Sequence, residues 1–250
     1  MDRTEKKENR YGLLGRNISY SFSQGYFAQK FKDLGLTDHS YENFDIQDIS
    51  EFGTVLANNP LKGLNVTIPY KEQIIPYLDA LDPTAEKIGA VNTIKFTKNG
   101  LIGFNTDAHG FQKSLEPFLS PHHTKALILG TGGASKAVRF VLETMGLSSH
   151  YVSRTKKIGQ YAYEDLDRGI MTAHTVIVNC TPLGTHPNVK DKPPIPYRFI
   201  GEKHVFFDLI YNPEKTAFLI EGEKKGATIC NGLKMLQLQA EKAWEIWNTP

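Results

Sequence analysis

Four groups of residues in this chain have the types and spacing to do chemistry. Gly130, Thr131, Gly132 and Gly133 follow directly on the apolar run Ala126–Leu129. They precede a segment with apolar residues at Ala137, Val138, Val141, Leu142 and Met145. Strand, glycine turn and helix in that order make a phosphate-binding step. Unpaired N–H groups and the positive end of the dipole favour an anion at a helix N-terminus, and glycines let the backbone come close to it. The spacing is G-x-G-G-A-S rather than strict G-x-G-x-x-G, so by itself it also suits a turn that only packs. About twenty residues on, a cofactor lacking the 2′-phosphate calls for a carboxylate to bond its ribose. The chain has Ser153-Arg154-Thr155-Lys156-Lys157 there, and hydroxyls with cations select NADP over NAD. The same loop is otherwise a solvated basic turn.

The other two groups lie earlier. Ser21 and Ser23 are two residues apart, so in an extended segment their hydroxyls point the same way. They could grip a carboxylate, or be a helix cap with a solvated neighbour. Lys71 stands just past a strand that Pro69 ends, since proline has no N–H to give a ladder. A lysine there is ordinarily solvated, and it becomes a catalytic candidate when acidic and polar partners converge on it. Candidates for that role are Asn65 and Thr67 on the polar face of the strand, Asn92, and Asp107, which heads a helix and also reads as a plain N-cap.

The elements that must position these residues follow from hydrophobic periodicity. Tyr11–Leu14 is expected to be a strand, with a helix starting near Gln24, a strand over His39–Phe44 and a helix over Ile49–Asn58. Leu64, Val66 and Ile68 alternate with polar residues, and a helix over Glu72–Leu78 is expected next. Gly89–Thr97 and Leu101–Phe104 flank Lys98-Asn99-Gly100 as a β-hairpin, followed by a helix over Ala108–Leu119. Ala126–Leu129, Ser149–Val152, Thr175–Cys180, His204–Leu209 and Thr228–Asn231 read as strands. Ala134–Met145, Phe218–Lys225 and the stretch from Gly232 read as helices, the last packing through Leu233, Leu236, Ala240 and Trp244. Polar loops at the carboxyl ends of such strands are where α/β sheets bind ligands.

Composition narrows the function classes. The chain has 250 residues, 40% hydrophobic and 22% charged, with a formal net charge of +2. That balance gives no reason to expect a nucleic-acid or membrane partner. Cys180 and Cys230 lie far apart without metal-type spacing and read as two reduced, half-buried thiols. No metal site is expected. No apolar run approaches the roughly eighteen residues of a membrane span, and the start M-D-R-T-E-K-K-E-N-R has no signal-peptide core. A soluble cytoplasmic protein is expected, with residues 1–10 solvated and mobile.

Seven segments together carry a family resemblance: S-Y-S-F-S (Ser19–Ser23), N-V-T-I-P-Y-K (Asn65–Lys71), G-A-V-N-T (Gly89–Thr93), G-F-N-T-D (Gly103–Asp107), G-T-G-G-A-S (Gly130–Ser135), S-R-T (Ser153–Thr155) and N-G-L-K-M-L-Q-L-Q (Asn231–Gln239). In this order they resemble the shikimate dehydrogenases over nearly the whole chain from Tyr11. The resemblance implies NADPH-dependent, reversible reduction of 3-dehydroshikimate to shikimate in aromatic amino-acid biosynthesis, by a monomer or homodimer. It implies an α/β fold of two α/β domains with the active site in the cleft. The substrate-binding domain would be residues 11–106 plus 232–250, and the Rossmann-like NADP domain 107–231. It also implies residue roles. Lys71 and Asp107 would be catalytic, the carboxylate orienting the lysine. Ser21, Ser23, Asn65, Thr67, Asn92, Tyr211 and Gln239 would bind substrate. Gly130, Thr131, Gly132, Gly133, Ala134, Ser135, Ser153, Arg154, Thr155, Gly232 and Met235 would bind the cofactor.

The chain departs from the family in two places. Ser21-Phe22-Ser23-Gln24 stands where members often have S-K-S-P, which spares both serines. After Arg154 the family's helix is missing, giving one shortened βα unit. Parallel neighbours need a crossover of about a dozen residues, so no ordinary third parallel strand is expected. Gln160–Tyr163 should be irregular or pair in another sense, Glu164–Arg168 should form at most a short helix, and Tyr161, Tyr163 or Ile158 should fold over the exposed sheet. Alternative functions are a quinate/shikimate dehydrogenase of broader range, a methylene-tetrahydrofolate-dehydrogenase-like enzyme, and a non-catalytic NADP-binding regulator.

Overall fold

Two six-stranded sheets carry the chain in this computed structural model, which describes residues 8–19 and 21–249. The chain divides into two units: the described residues through Thr106 together with those from Ala240 on, and Asp107–Gln239.

The first unit runs β1 (Asn9–Gly15), α1 (Phe22–Asp33), β2 (His39–Asp45), α2 (Phe52–Asn58), β3 (Leu61–Val66), β4 (Ala80–Leu81), α3 (Pro83–Ile88), β5 (Thr93–Thr97) and β6 (Gly100–Phe104). Its sheet has the order β2-β1-β3-β5-β6-β4. β1 is parallel to β2 and β3, and β5 and β6 form the expected antiparallel hairpin. Residues 1–7 of the expected mobile start lie outside the described residues. Asn9 and Arg10, by contrast, already belong to β1. The Arg10 guanidinium makes a two-point bond to Glu42 on β2, at 3.0 and 2.8 Å, and this draws the ladder two residues earlier.

Three local expectations need correction. α1 begins at Phe22 with Ser21 as its N-cap, so Ser23 is helical and does not share an extended segment with Ser21. β3 ends at Val66, so Thr67 and Ile68 lie beyond the strand that was expected to carry them up to Pro69. Glu72–Leu78 is not an α-helix but turns leading into a 3-10 turn at Ile75–Tyr77. Pro76 sits inside that stretch and has no N–H to give the carbonyl of Glu72.

The second unit runs α4 (Thr106–Leu115), β7 (Lys125–Leu129), α5 (Gly133–Thr144), β8 (Ser148–Ser153), β9 (Tyr161–Ala162), α6 (Arg168–Ala173), β10 (Val176–Asn179), β11 (Val205–Asp208), α7 (Ala217–Glu223), β12 (Thr228–Cys230) and α8 (Leu233–Asn248), the last continuing into the first unit. The sheet order is β12-β11-β10-β7-β8-β9, and every pairing is parallel. Leu127, Ile128 and Leu129 have no exposed surface, as a strand covered on both faces requires. The order reverses direction between β7 and β10, which leaves a crevice at their carboxyl ends.

The shortened unit does hold a parallel strand, against expectation. β9 pairs with β8 through Val152↔Tyr161 and Ser153↔Ala162. No helix lies between them. The crossover rule supposes that the chain must return the length of a strand. Here β9 meets only the last two residues of β8, so seven residues suffice. A 3-10 turn at Tyr163–Asp165 and α6 follow, and α6 begins where the short helix was expected to end. Tyr161 and Tyr163 pack against the core of the second unit, but Ile158 is fully exposed.

α8 packs through Met235, Gln239, Ala240, Ala243 and Trp247, whereas Leu233 is exposed. In the first unit its end joins Tyr11, Phe27, Phe31 and Tyr41 in an aromatic core. Phe27 stacks on Tyr41 at 4.5 Å, and the Trp247 indole N–H donates to the Ile94 carbonyl at 3.0 Å. Trp247→Ala removes both the buried ring and this bond and is expected to cost about 3–5 kcal/mol. Urea unfolding of the variant against the parent measures it, and a loss under about 1 kcal/mol would contradict this packing.

Candidate active site

Strand ends and helix starts place the candidate residues in each unit. In the first, Ser21 accepts from the Ser23 N–H at 3.2 Å and so caps α1. A hydroxyl that accepts still has its own proton to donate, so capping and gripping an anion are compatible. Ser23 is half-buried in the first turn of α1, and burial pushes the Tyr41 hydroxyl above its ordinary pKa. Tyr41 donates to Asn65 Oδ1 at 2.8 Å. Asn65 Nδ2 donates to the Asn92 carbonyl and to Thr93 Oγ1, at 3.1 and 3.0 Å. Asn92 Nδ2 then donates to Thr106 Oγ1, and Asn92 Oδ1 accepts from the Thr106 N–H at 2.7 Å.

Asn65 and Asn92, proposed from separate segments, are thus joined in one neutral network. Tyr41, Thr93 and Thr106 complete it. Thr67 is half-buried beside them in the chain, its N–H bonded to the Leu14 carbonyl. Lys71 is half-buried, and its carbonyl accepts from the Val91 N–H at 2.7 Å, which ties the turn carrying it to the residue before Asn92. Hydroxyls and amides in this density suit a polyhydroxylated ligand.

In the second unit, Asp107 is buried in the first turn of α4 rather than capping it, because the helix begins at Thr106. Gln239 is buried on α8, its amide nitrogen donating to the Leu236 carbonyl. Gly110 of α4 lets the two helices approach closely, with space for no Cβ against the Met235 carbonyl. Asp107 and Gln239 therefore lie on helices in direct contact.

The phosphate-binding step stands at the sheet's reversal point. Gly130 follows β7 with φ 97°, a conformation that strains any residue with a Cβ. Gly132 is the N-cap of the twelve-residue α5, and no side chain caps this terminus. A Cβ built at Gly132 meets nothing within 4 Å, and Thr131 beside it is exposed. An open, uncapped helix start over glycines fits a dinucleotide diphosphate. Gly133 and Ala134 open the helix. Ser135 is buried below them, with its N–H and Oγ both bonded to the Gly132 carbonyl, so its hydroxyl holds the turn rather than facing the open side.

Past β8, Arg154 and Thr155 are exposed, while the Ser153 hydroxyl turns back to the Thr155 carbonyl. Lys156 pairs with Asp165 at 2.8 Å. Burial pushes the Tyr163 hydroxyl up to about 12, and the nearby charge of Arg154 opposes this. Gly232 opens α8. A Cβ there would stand 2.1 Å from the Leu209 carbonyl oxygen, so only glycine fits. Met235 is buried one turn on, and Tyr211 is half-buried. Among the described residues no cluster of three or more His, Cys, Asp or Glu could hold a metal, and Cys180 and Cys230 are free thiols.

One group here was not anticipated. Asp208, the last residue of β11, has no exposed surface. It accepts from Asn179 Nδ2 at 3.0 Å, the Ile210 N–H at 3.1 Å and Thr216 Oγ1 at 2.6 Å. A carboxylate closing the apolar run V-F-F-D was a legible signal, since charge is rarely fully buried without partners.

Burial raises the Asp208 carboxyl from 3.8 to about 6 despite those donors. The folded state thus binds this proton more tightly than the unfolded chain. Its contribution to stability is full below about pH 4 and is lost as the pH rises to about 6, a swing of about 3 kcal/mol. Asp208→Asn is expected to remove that swing. The difference in unfolding free energy between parent and variant should change in the variant's favour between pH 4 and 7. A constant difference would refute the shift.

The comparisons with known proteins bear on the whole length. The profile of the shikimate dehydrogenase substrate binding domain matches residues 13–94. The NADP(+)-dependent shikimate dehydrogenase of Methanopyrus kandleri is 36% identical over 266 residues, covering 97% of this chain and 91% of that protein. That of Clostridium botulinum strain Hall is 37% identical over 247 residues, covering 94% and 95%. Among solved structures, shikimate dehydrogenase from Aquifex aeolicus superposes with a TM-score of 0.85 at 32% identity, covering 100% of this chain and 96% of that one. Shikimate 5-dehydrogenase from Thermus thermophilus, in complex with NADP(H) and shikimate, gives 0.84 at 32% identity, covering 96% and 93%.

Proposed function

The chain belongs to the shikimate dehydrogenase family, and on that premise we propose that it reversibly reduces 3-dehydroshikimate to shikimate with NADPH, a step of aromatic amino-acid biosynthesis. The relationship over more than nine-tenths of the chain to NADP(+)-dependent shikimate dehydrogenases carries this reading. In it the first unit binds substrate and the second binds NADP. The protein works in the cytoplasm as a monomer or homodimer, with no nucleic-acid or membrane partner. No helix among the described residues is long and apolar enough to cross a membrane.

NADPH, when bound, supplies the hydride. Gly130–Ala134 at the start of α5 would hold its diphosphate, with Ser135 shaping the turn beneath. Arg154 and Thr155 would take the 2′-phosphate, Ser153 shapes their loop, and Gly232 and Met235 would contact the nicotinamide. Ser21 and Ser23 hold the substrate carboxylate. Asn65, Thr67, Asn92, Tyr211 and Gln239 bond the ring hydroxyls and the carboxylate and fix the ring's orientation. Reduction leaves negative charge on the carbonyl oxygen. The Lys71 ammonium stabilises that charge and delivers a proton to the oxygen. In the reverse direction the same nitrogen takes the hydroxyl proton. Asp107 accepts from a ring hydroxyl and completes the catalytic set.

The direct test is purified protein with shikimate or quinate and NADP⁺ or NAD⁺, read by absorbance of the reduced nicotinamide. Rapid turnover with shikimate and NADP⁺ is expected, and none with any pair would overturn the proposal. Lys71→Ala is expected to lower kcat by about 10²–10⁴-fold while KM changes little, the signature of a contact made in the transition state. A near-normal kcat would remove Lys71 from its role. Arg154→Ala should cost about 1.5–3 kcal/mol of phosphate contact, so kcat/KM for NADPH should fall roughly ten- to hundredfold and that for NADH little. Equal effects on the two cofactors would refute the assignment.

A further inference from the structure

Asp208 has no part in the reaction just described, yet it joins three of the segments that surround it. Its Oδ1 accepts from the Ile210 N–H, in the turn that carries Tyr211. The Ile210 carbonyl in turn accepts from the Gly232 N–H at 3.0 Å, at the start of α8. The same Oδ1 accepts from Asn179, whose own Oδ1 takes the N–H and hydroxyl of Thr181, at 3.0 and 2.7 Å, beyond β10. Its Oδ2 accepts from Thr216, the N-cap of α7. Every neighbour donates, so the arrangement is that of the ionised carboxylate. The loops after β10 and β11 and the start of α7 are thereby tied to one buried pair of oxygens, and the start of α8 is tied to the β11 turn through the Ile210 carbonyl.

We infer that Asp208 is a positioning residue, whose carboxylate fixes the turn Leu209–Tyr211 against the start of α8 and so sets where Tyr211 meets the substrate. The inference rests on the reading of Tyr211 as a substrate-binding residue of a shikimate dehydrogenase. A bond donated to a carboxylate is charge-assisted and weakens when that group takes a proton, even where an oxygen still accepts. Burial places that protonation at about pH 6. Cys180 beyond β10 and Tyr197 of the 3-10 turn Tyr197–Phe199 also interact with Asp208. Burial pushes both groups upward, so they stay neutral across the range in which Asp208 titrates. Thr216, from α7, does not titrate.

The test compares the parent enzyme with Asp208→Asn, which keeps the shape and one acceptor oxygen but removes the charge that strengthens the bonds to it. The variant is expected to raise KM for shikimate at least about tenfold, to leave KM for NADP⁺ within about twofold, and to melt no lower than the parent at pH 7. The parent's kcat/KM for shikimate should fall below about pH 6, and that limb should be missing from the variant. Asp208→Asn combined with Tyr211→Ala should be no worse than Tyr211→Ala alone, since the two act through one contact. Unchanged KM for shikimate would overturn the role. So would a rise in both KM values with a lower melting temperature, which marks a merely structural residue. Hydrogen exchange of the peptide 209–213 needs no substrate. If the parent proves inactive on shikimate, lower protection in the variant, and in the parent below pH 6 relative to the intrinsic exchange rate at that pH, still supports the anchor. Equal protection overturns it.

Discussion

A parallel strand covered on both faces can carry polar chemistry only at its ends. The apolar residues of β7, β10 and β11 are all buried, and the second unit places its polar groups accordingly. Gly130 follows β7 immediately, and Asn179 and Asp208 are the last residues of β10 and β11. The hydrogen-bonded ladder holds these ends in register, so groups far apart in sequence stand side by side at one edge of the sheet. Asn179 pairs with Asp208 in the ladder and bonds it through its side chain.

The same constraint acts in the first unit through neutral groups. Tyr41, Asn65, Asn92, Thr93 and Thr106 are all buried. Each unsatisfied donor or acceptor among them would cost about 1–3 kcal/mol, and so they satisfy one another. A network in which each member bonds the next has few alternative arrangements. That rigidity suits recognition of a ring bearing several hydroxyls, which discriminates by where donors and acceptors stand. Asp208 shows the costlier version, because its charge opposes burial even with three donors. A group that lowers stability at neutral pH and is still built into the strand end is the kind of local conflict that functional sites carry.

The short segment after β8 shows how little covering a sheet edge needs. β9 contributes two ladder residues, and Asp165 accepts from the Ala162 N–H at 2.8 Å while pairing with Lys156. Tyr161 and Tyr163 then lay their rings on the core. An ion pair, one bridging carboxylate and two aromatic rings thus do the work of a helix. They also leave Arg154 and Thr155 exposed beside the phosphate-binding turn.

Much of this was legible in the residues themselves. The run Ala126–Leu129, the glycines after it and the apolar period of α5 define a strand, a turn and a helix by local patterning, and the structure has all three. The basic loop, the β5–β6 hairpin and the seven family segments were readable for the same reason: each is encoded within a few consecutive residues. Tertiary structure alone decided which side chains meet. Tyr41 reaches Asn65 across 24 residues, Asp208 reaches Asn179 across 29, and Trp247 reaches Ile94 across 153. It also turned Ser135 inward, put Ser23 inside a helix and brought β9 beside β8. Periodicity reports which face of an element is apolar. It does not report which partner a buried polar group finds, because that partner is chosen by long-range packing and by the requirement that no buried donor or acceptor be left alone.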